Sequence, residues 1–378
     1  MISFVSLFFF LTLLFSWNYS YCQDYAIPSP FRKADKIVIG CLLPLSGEYE
    51  LLGKKALRGV LTAADLFYSE TNFQVVVKDT GSDTKKIRKS LGEMVTEERV
   101  SFVIGPLSST SINEVSASAE SLQVPTVVFP LSEHTSPDNR YTIKFSYSLE
   151  KQSDVLAIYA VQEIGVKTFG ILHPRTPLGE LFKEAFVKSI KRLGREVIYT
   201  GSYNSKLTDI STEFQWIKSI QPDALFIPDG ASRSGELIMK LKRQVTLGNL
   251  LFLGPNTWNS EAFLKTVGRE ADGVIFRVLF TDFFFTGGPE WADFSNKYKI
   301  VFNNEQPGFL EYQVYEAVKL ILNVLKIPIQ RREEIMERLL VERNNQLFDI
   351  IQGTNGSLEI SPKPLILTVK DGNILKVK

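Results

Sequence analysis

Residues 36–67, KIVIGCLLPLSGEYELLGKKALRGVLTAADLF, carry the pattern that repeats through the rest of the chain. Ile37 to Leu43 is a continuous apolar run with the length and β-branched content of a strand buried on both faces. The turn Pro44-Leu45-Ser46-Gly47 follows, and then a helix is expected. On that helix Leu57, Val60, Leu61, Ala64 and Phe67 recur at helical spacing, while Lys54, Lys55, Arg58 and Asp65 fall on the opposite side. The unit is strand, exposed loop, amphipathic helix. In an open parallel sheet, the loop beyond a strand's carboxyl end is where ligands sit.

Downstream the alternation continues. Strands are expected at Phe73–Asp79, Ser101–Gly105 and Thr126–Phe129, with helices at Thr84–Glu98 and from Ser109 to Leu122. The chain then runs through Tyr141–Phe145 and is expected to change lobe near Ser146–Glu150. Further strands begin near Thr168, Glu196, Ala224 and Leu250, roughly the spacing of a strand plus its crossover helix. A strand at Gly273–Leu279 leads to helices near Trp291–Phe302 and Phe309–Leu325. The tail, Ser357–Lys378, alternates apolar and polar residues around Lys370–Asn373 and reads as an edge hairpin of the second lobe. The fold class is therefore α/β, with two doubly wound parallel-sheet lobes.

A chain of 378 residues, 44% of them hydrophobic, is too long for one ordinary core and suits two domains. A formal charge of +1 removes the usual electrostatic reason to expect a nucleic-acid partner. Two cysteines exclude a disulfide-rich scaffold. Residues 1–22 read as an export signal. Phe4 to Trp17 is apolar apart from Ser6, Thr12 and Ser16 but short for a span, and Ser20-Tyr21-Cys22 offers small residues for cleavage before Gln23. An uncleaved anchor and a lipoprotein acylated at Cys22 are the alternatives. Residues 23–35, with Pro28 and Pro30, read as a surface linker. Cys41 lies mid-strand and is expected to be a small buried apolar residue.

Signals for catalysis are absent from the motifs. His134 and His173 have no metal-ligand spacing, and no GxSxG elbow, P-loop or GxGxxG occurs. Carboxylates lie mostly at helix spacing among Lys and Arg, as on a solvated face. No catalytic residue, metal or cofactor is assigned, and the chain is read as a non-enzyme. Binding signals are stronger. Gly105-Pro106-Leu107-Ser108-Ser109-Thr110-Ser111 places hydroxyls and free backbone N–H groups at a helix start, a ready site for a carboxylate. Plain N-capping by Ser108 or Ser109 would use the same residues. Asp229, in Pro228-Asp229-Gly230, follows a strand and is either a ligand-binding acid or a turn-forming Asp.

The string IxxGxxLPLSGxxxxLGxxxxxGxxxAA at 37–64 resembles the opening of the type I periplasmic solute-binding proteins, the leucine/isoleucine/valine-binding family of ABC importers. The resemblance implies discontinuous lobes joined by a three-strand hinge, with residues 36–147 and 277–345 in lobe 1 and 148–276 and 346–378 in lobe 2, a small polar ligand (amino acid, amide or peptide-like) and an inner-membrane ABC permease as partner. It places Ser109 on the family serine that binds the ligand carboxylate. It also places Ser132 and Glu133, in Phe129-Pro130-Leu131-Ser132-Glu133-His134, on the second ligand loop. In the second lobe the family's stacking aromatic becomes Leu178, and its ammonium-binding acid becomes Asn256. An unpaired buried ammonium is costly, so a free α-amino acid needs Asp229 or Glu133 as a substitute.

A second resemblance covers residues 223–276. ALFIPDGASR, LLFLGPNTWNSEAFL and DGVIF are similar to the binding-protein-like domain of penicillin-binding protein activators. It implies an interaction protein in peptidoglycan synthesis, with a penicillin-binding protein as partner. Trp258 is then either a contact aromatic or a packing residue. Phe283-Phe284-Phe285 is a contact loop or core.

Overall fold

The apolar run Ile37–Leu43 forms strand β1, and its side chains from Ile39 onward are buried because neighbours flank it on both sides. It pairs in parallel with β2 (Phe73–Asp79) and with β3 (Phe102–Ile104). The structure is a computed structural model that describes residues 37–65, 73–81, 83–107, 109–130, 139–204, 210–244, 250–268, 277–327, 329, 331–342 and 347–377. The expected export signal and linker, residues 1–35, lie outside these.

Among the described residues the strands form two seven-stranded sheets. The first adds β4 (Thr126–Val128), β5 (Thr142–Phe145), β11 (Phe348–Gln352) and β12 (Leu358–Pro362), in the order β11-β12-β5-β4-β3-β1-β2. The second contains β6 (Thr168–Pro174), β7 (Glu196–Tyr203), β8 (Ala224–Phe226), β9 (Leu251–Gly254), β10 (Arg277–Asp282), β13 (Leu365–Lys370) and β14 (Asn373–Lys376). Its order is β14-β13-β10-β9-β8-β6-β7. Each sheet is a doubly wound parallel core, 2-1-3-4-5 in its own strand order, extended at one edge by later strands.

Helices cover both faces. In the first lobe α1 (Glu50–Ala63), α2 (Thr84–Thr96) and α3 (Ser109–Leu122) are crossovers. In the second, α4 (Leu149–Gln162), α5 (Pro177–Arg192), α6 (Ser211–Ile220) and α7 (Ala231–Gln244) play that part, with α8 (Glu261–Val267) after β9. The later helices α9 (Pro289–Val301), α10 (Phe309–Val324) and α11 (Glu333–Val341) return to the first lobe. There α10 lies so close along α1 that a Cβ on Gly59 would stand 2.5 Å from the Glu311 carbonyl. The same closeness anchors the first loop: a Cβ on Gly53 would meet the Pro44 carbonyl oxygen at 2.0 Å, so only glycine lets α1 back onto the turn after β1.

Two assignments from the sequence are corrected by the pairing. β10 was expected in lobe 1, within 277–345. It instead sits inside the second sheet, parallel to β9 and antiparallel to β13. Residues 346–378 were expected wholly in lobe 2, yet β11 and β12 extend the first sheet, with β12 parallel to β5. The reason is physical. Val278 to Asp282 are buried, and that pattern suits an interior strand of either sheet. The edge hairpin β13–β14 around Lys370–Asn373 does belong to the second sheet.

The chain crosses between lobes at Ser146–Ser148, after Asp282 and at Lys363–Pro364. Cys41 is fully buried on β1, and burial pushes its thiol far above the ordinary range. In a Cys22→Ser chain, a thiol reagent is therefore expected to label nothing until denaturant is added, read as absorbance of the released chromophore; labelling of the folded protein would contradict this packing.

Candidate functional site

Strand polarity shows where the two lobes meet. The carboxyl end of β5 passes in three residues, Ser146 to Ser148, into α4 of the second lobe. The carboxyl end of β10 leads from Asp282 back toward α9 of the first. Because β1–β5 are parallel to one another, as are β6–β10, both sheets turn their carboxyl rims toward the opposite lobe. Loops at those rims therefore line a gap between the lobes.

On the first rim, Gly105 ends β3 at φ +112° with its Cβ position 2.1 Å from the Leu42 carbonyl oxygen, a conformation and an approach that require glycine. Pro106 and Leu107 follow, and α3 begins at Ser109. The backbone thus supplies a helix N-terminus where the sequence predicts one. Ser108, Ser132, Glu133 and His134, and the Ser109 side chain, lie outside the described residues. The turn Pro44–Gly47 is held from the neighbouring strand, since Asp79 Oδ1 accepts from Leu45 N (2.7 Å) and from Gly81 N (2.8 Å).

On the second rim, the residues after β6, β8 and β9 come together because those strands are adjacent. Leu178 stands 54% exposed in the first turn of α5, so it presents an aliphatic surface where an aromatic would stack. Asn256 opens a 3-10 turn after β9, half-buried, with its N–H donated to Gln152 Oε1 at 3.1 Å. The same Gln152 oxygen accepts from Thr281 Oγ1 at 3.0 Å, which ties α4 to both β9 and β10.

Asp229 has its carboxylate occupied. It accepts from Tyr203 Oη (2.7 Å), from Gly230 N (2.7 Å) and from the Arg233 guanidinium (2.6 Å), and is only 6% exposed. Three donors and an opposite charge leave little capacity for a ligand ammonium. What this knot turns outward is Arg233, one helical turn further along α7 and partly exposed. Arg175, exposed at the end of β6, donates Nε–H to Ser202 Oγ at 3.1 Å. Glu180 on this rim pairs with Lys183. His173 is buried, donates to the Pro174 carbonyl in one tautomer and is pushed below the ordinary imidazole range by burial, so it stays neutral near pH 7. Arg233 and Lys183 on this rim are thus matched by Asp229 and Glu180, and the exposed Arg175 makes no ion pair among the described residues. The i, i+4 spacing of Asp229 and Arg233 was the available signal in PDGASR.

Trp258 is fully buried and stacks on Phe263 at 4.6 Å, which answers its two readings in favour of packing. Phe283 is 7% exposed, and the half-buried Phe284 packs among Trp291, Phe309 and Tyr312 at the hinge. Among the described residues no group of three or more His, Cys, Asp or Glu side chains is placed to hold a metal ion. None of their helices is long and apolar enough to cross a membrane.

The family model described as "Periplasmic binding protein" matches residues 36–336. Similar solved structures include a putative branched-chain amino acid ABC transporter from Rhodospirillum rubrum, 17% identical, covering 90% of this chain and 99% of that one at TM-score 0.79. The substrate-binding protein LivJ from Streptococcus pneumoniae, solved with isoleucine, is 18% identical, covering 90% and 100% of the two chains at TM-score 0.58. The leucine-binding protein LivK from Thermotoga maritima is 20% identical, covering 90% and 98% at TM-score 0.57. No curated protein matches the chain in sequence.

Proposed function

The chain belongs to the periplasmic binding protein family, and from that premise we propose an extracytoplasmic solute-binding protein that closes two lobes on a small polar ligand bearing a carboxylate or similar anionic group. It delivers that ligand to an inner-membrane ABC permease, and residues 1–22 direct its export. The observation that carries the reading is the pair of carboxyl rims facing each other across three crossings. Ligand stabilises the closed arrangement to the extent that it touches both rims.

On the first rim the ligand carboxylate is held at the start of α3 by Ser108 and Ser109, with Ser132 and Glu133 on the next loop. On the second, Arg175 faces it, beside Leu178 and Asn256. Since Asp229 is engaged by Tyr203 and Arg233, an α-ammonium group adds nothing on this rim, and Glu133 is its remaining candidate partner. The ligand class thus shifts from the neutral amino acids of LivJ and LivK toward simple carboxylates. A protein-scaffold role finds no support in Trp258 or Asp229, whose side chains serve the interior of the second lobe.

Calorimetry with amino acids, their deaminated acids and their amides tests this. The deaminated acid is expected to bind at least as tightly as its amino acid, and the amide far more weakly. Arg175→Ala, on an exposed side chain, should weaken binding by roughly tenfold or more with an unchanged apo melting point. Ser109→Ala should likewise weaken binding without lowering the apo melting point; equal damage to both would make Ser109 a helix cap. Binding of amino acids that excludes their deaminated counterparts would overturn the anionic-ligand reading.

A further inference from the structure

All three lobe crossings line one hollow of about 580 Å³. Tyr147 comes from the first crossing, Phe283 to Phe285 from the second, and Lys363 from the third. Helices α9 and α10 of the first lobe close it with Trp291, Tyr312 and Glu316, and β14 of the second lobe contributes Lys376. Its walls come from the crossings themselves and from the helices that follow β10, and no described residue from the loops after β3, β4, β6, β8 or β9 contributes to them.

Its chemistry is distinctive. Phe284 stacks on Trp291 at 5.0 Å with 15° between the rings, and Tyr312 lies 5.3 Å from each. Tyr147 meets Phe283 edge-on at 4.4 Å. Aromatic faces carry negative quadrupoles and attract cations. The carboxylates reinforce that sign. Glu316 is largely buried, with Lys319 Nζ at 3.9 Å, and burial holds its pKa above the ordinary range. Glu290 makes no ion pair among the described residues. The two lysines stand on the exposed side, and Lys363 is paired with Asp349. The hollow is thus walled by aromatic rings, with the Glu316 carboxyl at its buried end and the Glu290 carboxylate on its exposed side.

We propose that this hinge hollow is a second ligand site that takes an organic cation, an arylalkyl ammonium ion whose ring packs against the half-buried Phe284 and Trp291 and whose charge lies by Glu316 and Glu290. Its walls belong to both lobes, so an occupant holds their relative angle and couples to closure on the main ligand.

The test titrates the full-length chain with phenethylammonium and, as its uncharged counterpart, 2-phenylethanol, by calorimetry. The cation is expected to saturate one site at millimolar or lower concentration, with the alcohol roughly tenfold weaker or more. Glu316→Gln and Phe284→Leu should each weaken the cation by roughly fivefold or more. Glu290→Gln, on an exposed side chain, provides a variant whose folding is not at stake and should weaken it by a smaller factor. These same variants should leave carboxylate binding between the rims unchanged, which separates failure of this site from failure of the main one. Equal binding of the alcohol, binding indifferent to all three substitutions, or no saturation would overturn the proposal.

Discussion

Trp258→Ala is expected to destabilise the second lobe by about 3–5 kcal/mol, the range for removing a large buried aromatic. The indole is fully buried, lies against Gly254, stacks on Phe263 at 4.6 Å and leans on Phe280 at 6.3 Å. The ring therefore joins the end of β9 to α8 and β10, and its removal leaves a cavity among them. Its Nε1–H has no hydrogen-bond partner among the described atoms, which costs some of the gain from burial. Trp258→Phe, which keeps most of the packing and removes that donor, is accordingly expected to cost far less. Urea unfolding followed by circular dichroism measures both. A loss below about 1 kcal/mol for the alanine variant, or a fall in ligand affinity without loss of stability, would return Trp258 to a contact role.

Asp282→Asn is expected to stabilise the protein at pH 8 and to leave it unchanged at pH 4. Burial raises the Asp282 carboxyl to about 7, against opposing hydrogen bonds from Asn259 and from the N–H groups of Phe283 and Phe284. The unfolded chain releases this proton near an ordinary aspartate value of about 3.9. Between those two values the folded state binds more protons than the unfolded one, so stability falls as pH rises through that window. Below about pH 4 both states are protonated and there is no cost; above about pH 7 both are ionised and the cost is complete. It amounts to a few kcal/mol, roughly 4 at most. The asparagine cannot ionise, and its carbonyl accepts the same backbone bonds. Thermal midpoints of both chains from pH 4 to 8 should diverge steadily in favour of the variant. Parallel curves, or a variant less stable throughout, would show that Asp282 folds in as a well-solvated anion.

The location of Asp282 also shows why the sheet boundaries were hard to read. Strand β10 has the uniform burial of an interior parallel strand, and nothing in Arg277–Asp282 says which sheet it joins. Its membership follows from pairing with Leu251–Gly254, residues distant in sequence but held beside it by α4 and the second core. For β11 and β12 the same holds through β5. The candidate site was legible in part for a similar reason. Loops at strand ends are marked by glycine, proline and hydroxyl residues, and Gly105 with Ser109 is such a mark. Whether a carboxylate in such a loop is free is a matter of its partners, and Tyr203 and Arg233 reach Asp229 from another strand and from the next helix.

Local chemistry in the sequence determined the α/β alternation, the doubly wound order within each lobe and the loops that form the rims. Those follow from side-chain periodicity and turn residues, which act over a few neighbours. Tertiary structure alone decided which sheet took β10, β11 and β12, that the Asp229 carboxylate is already engaged, and that three crossings enclose an aromatic hollow. Each of these depends on contacts between segments far apart in the chain, whose free energy no local pattern encodes.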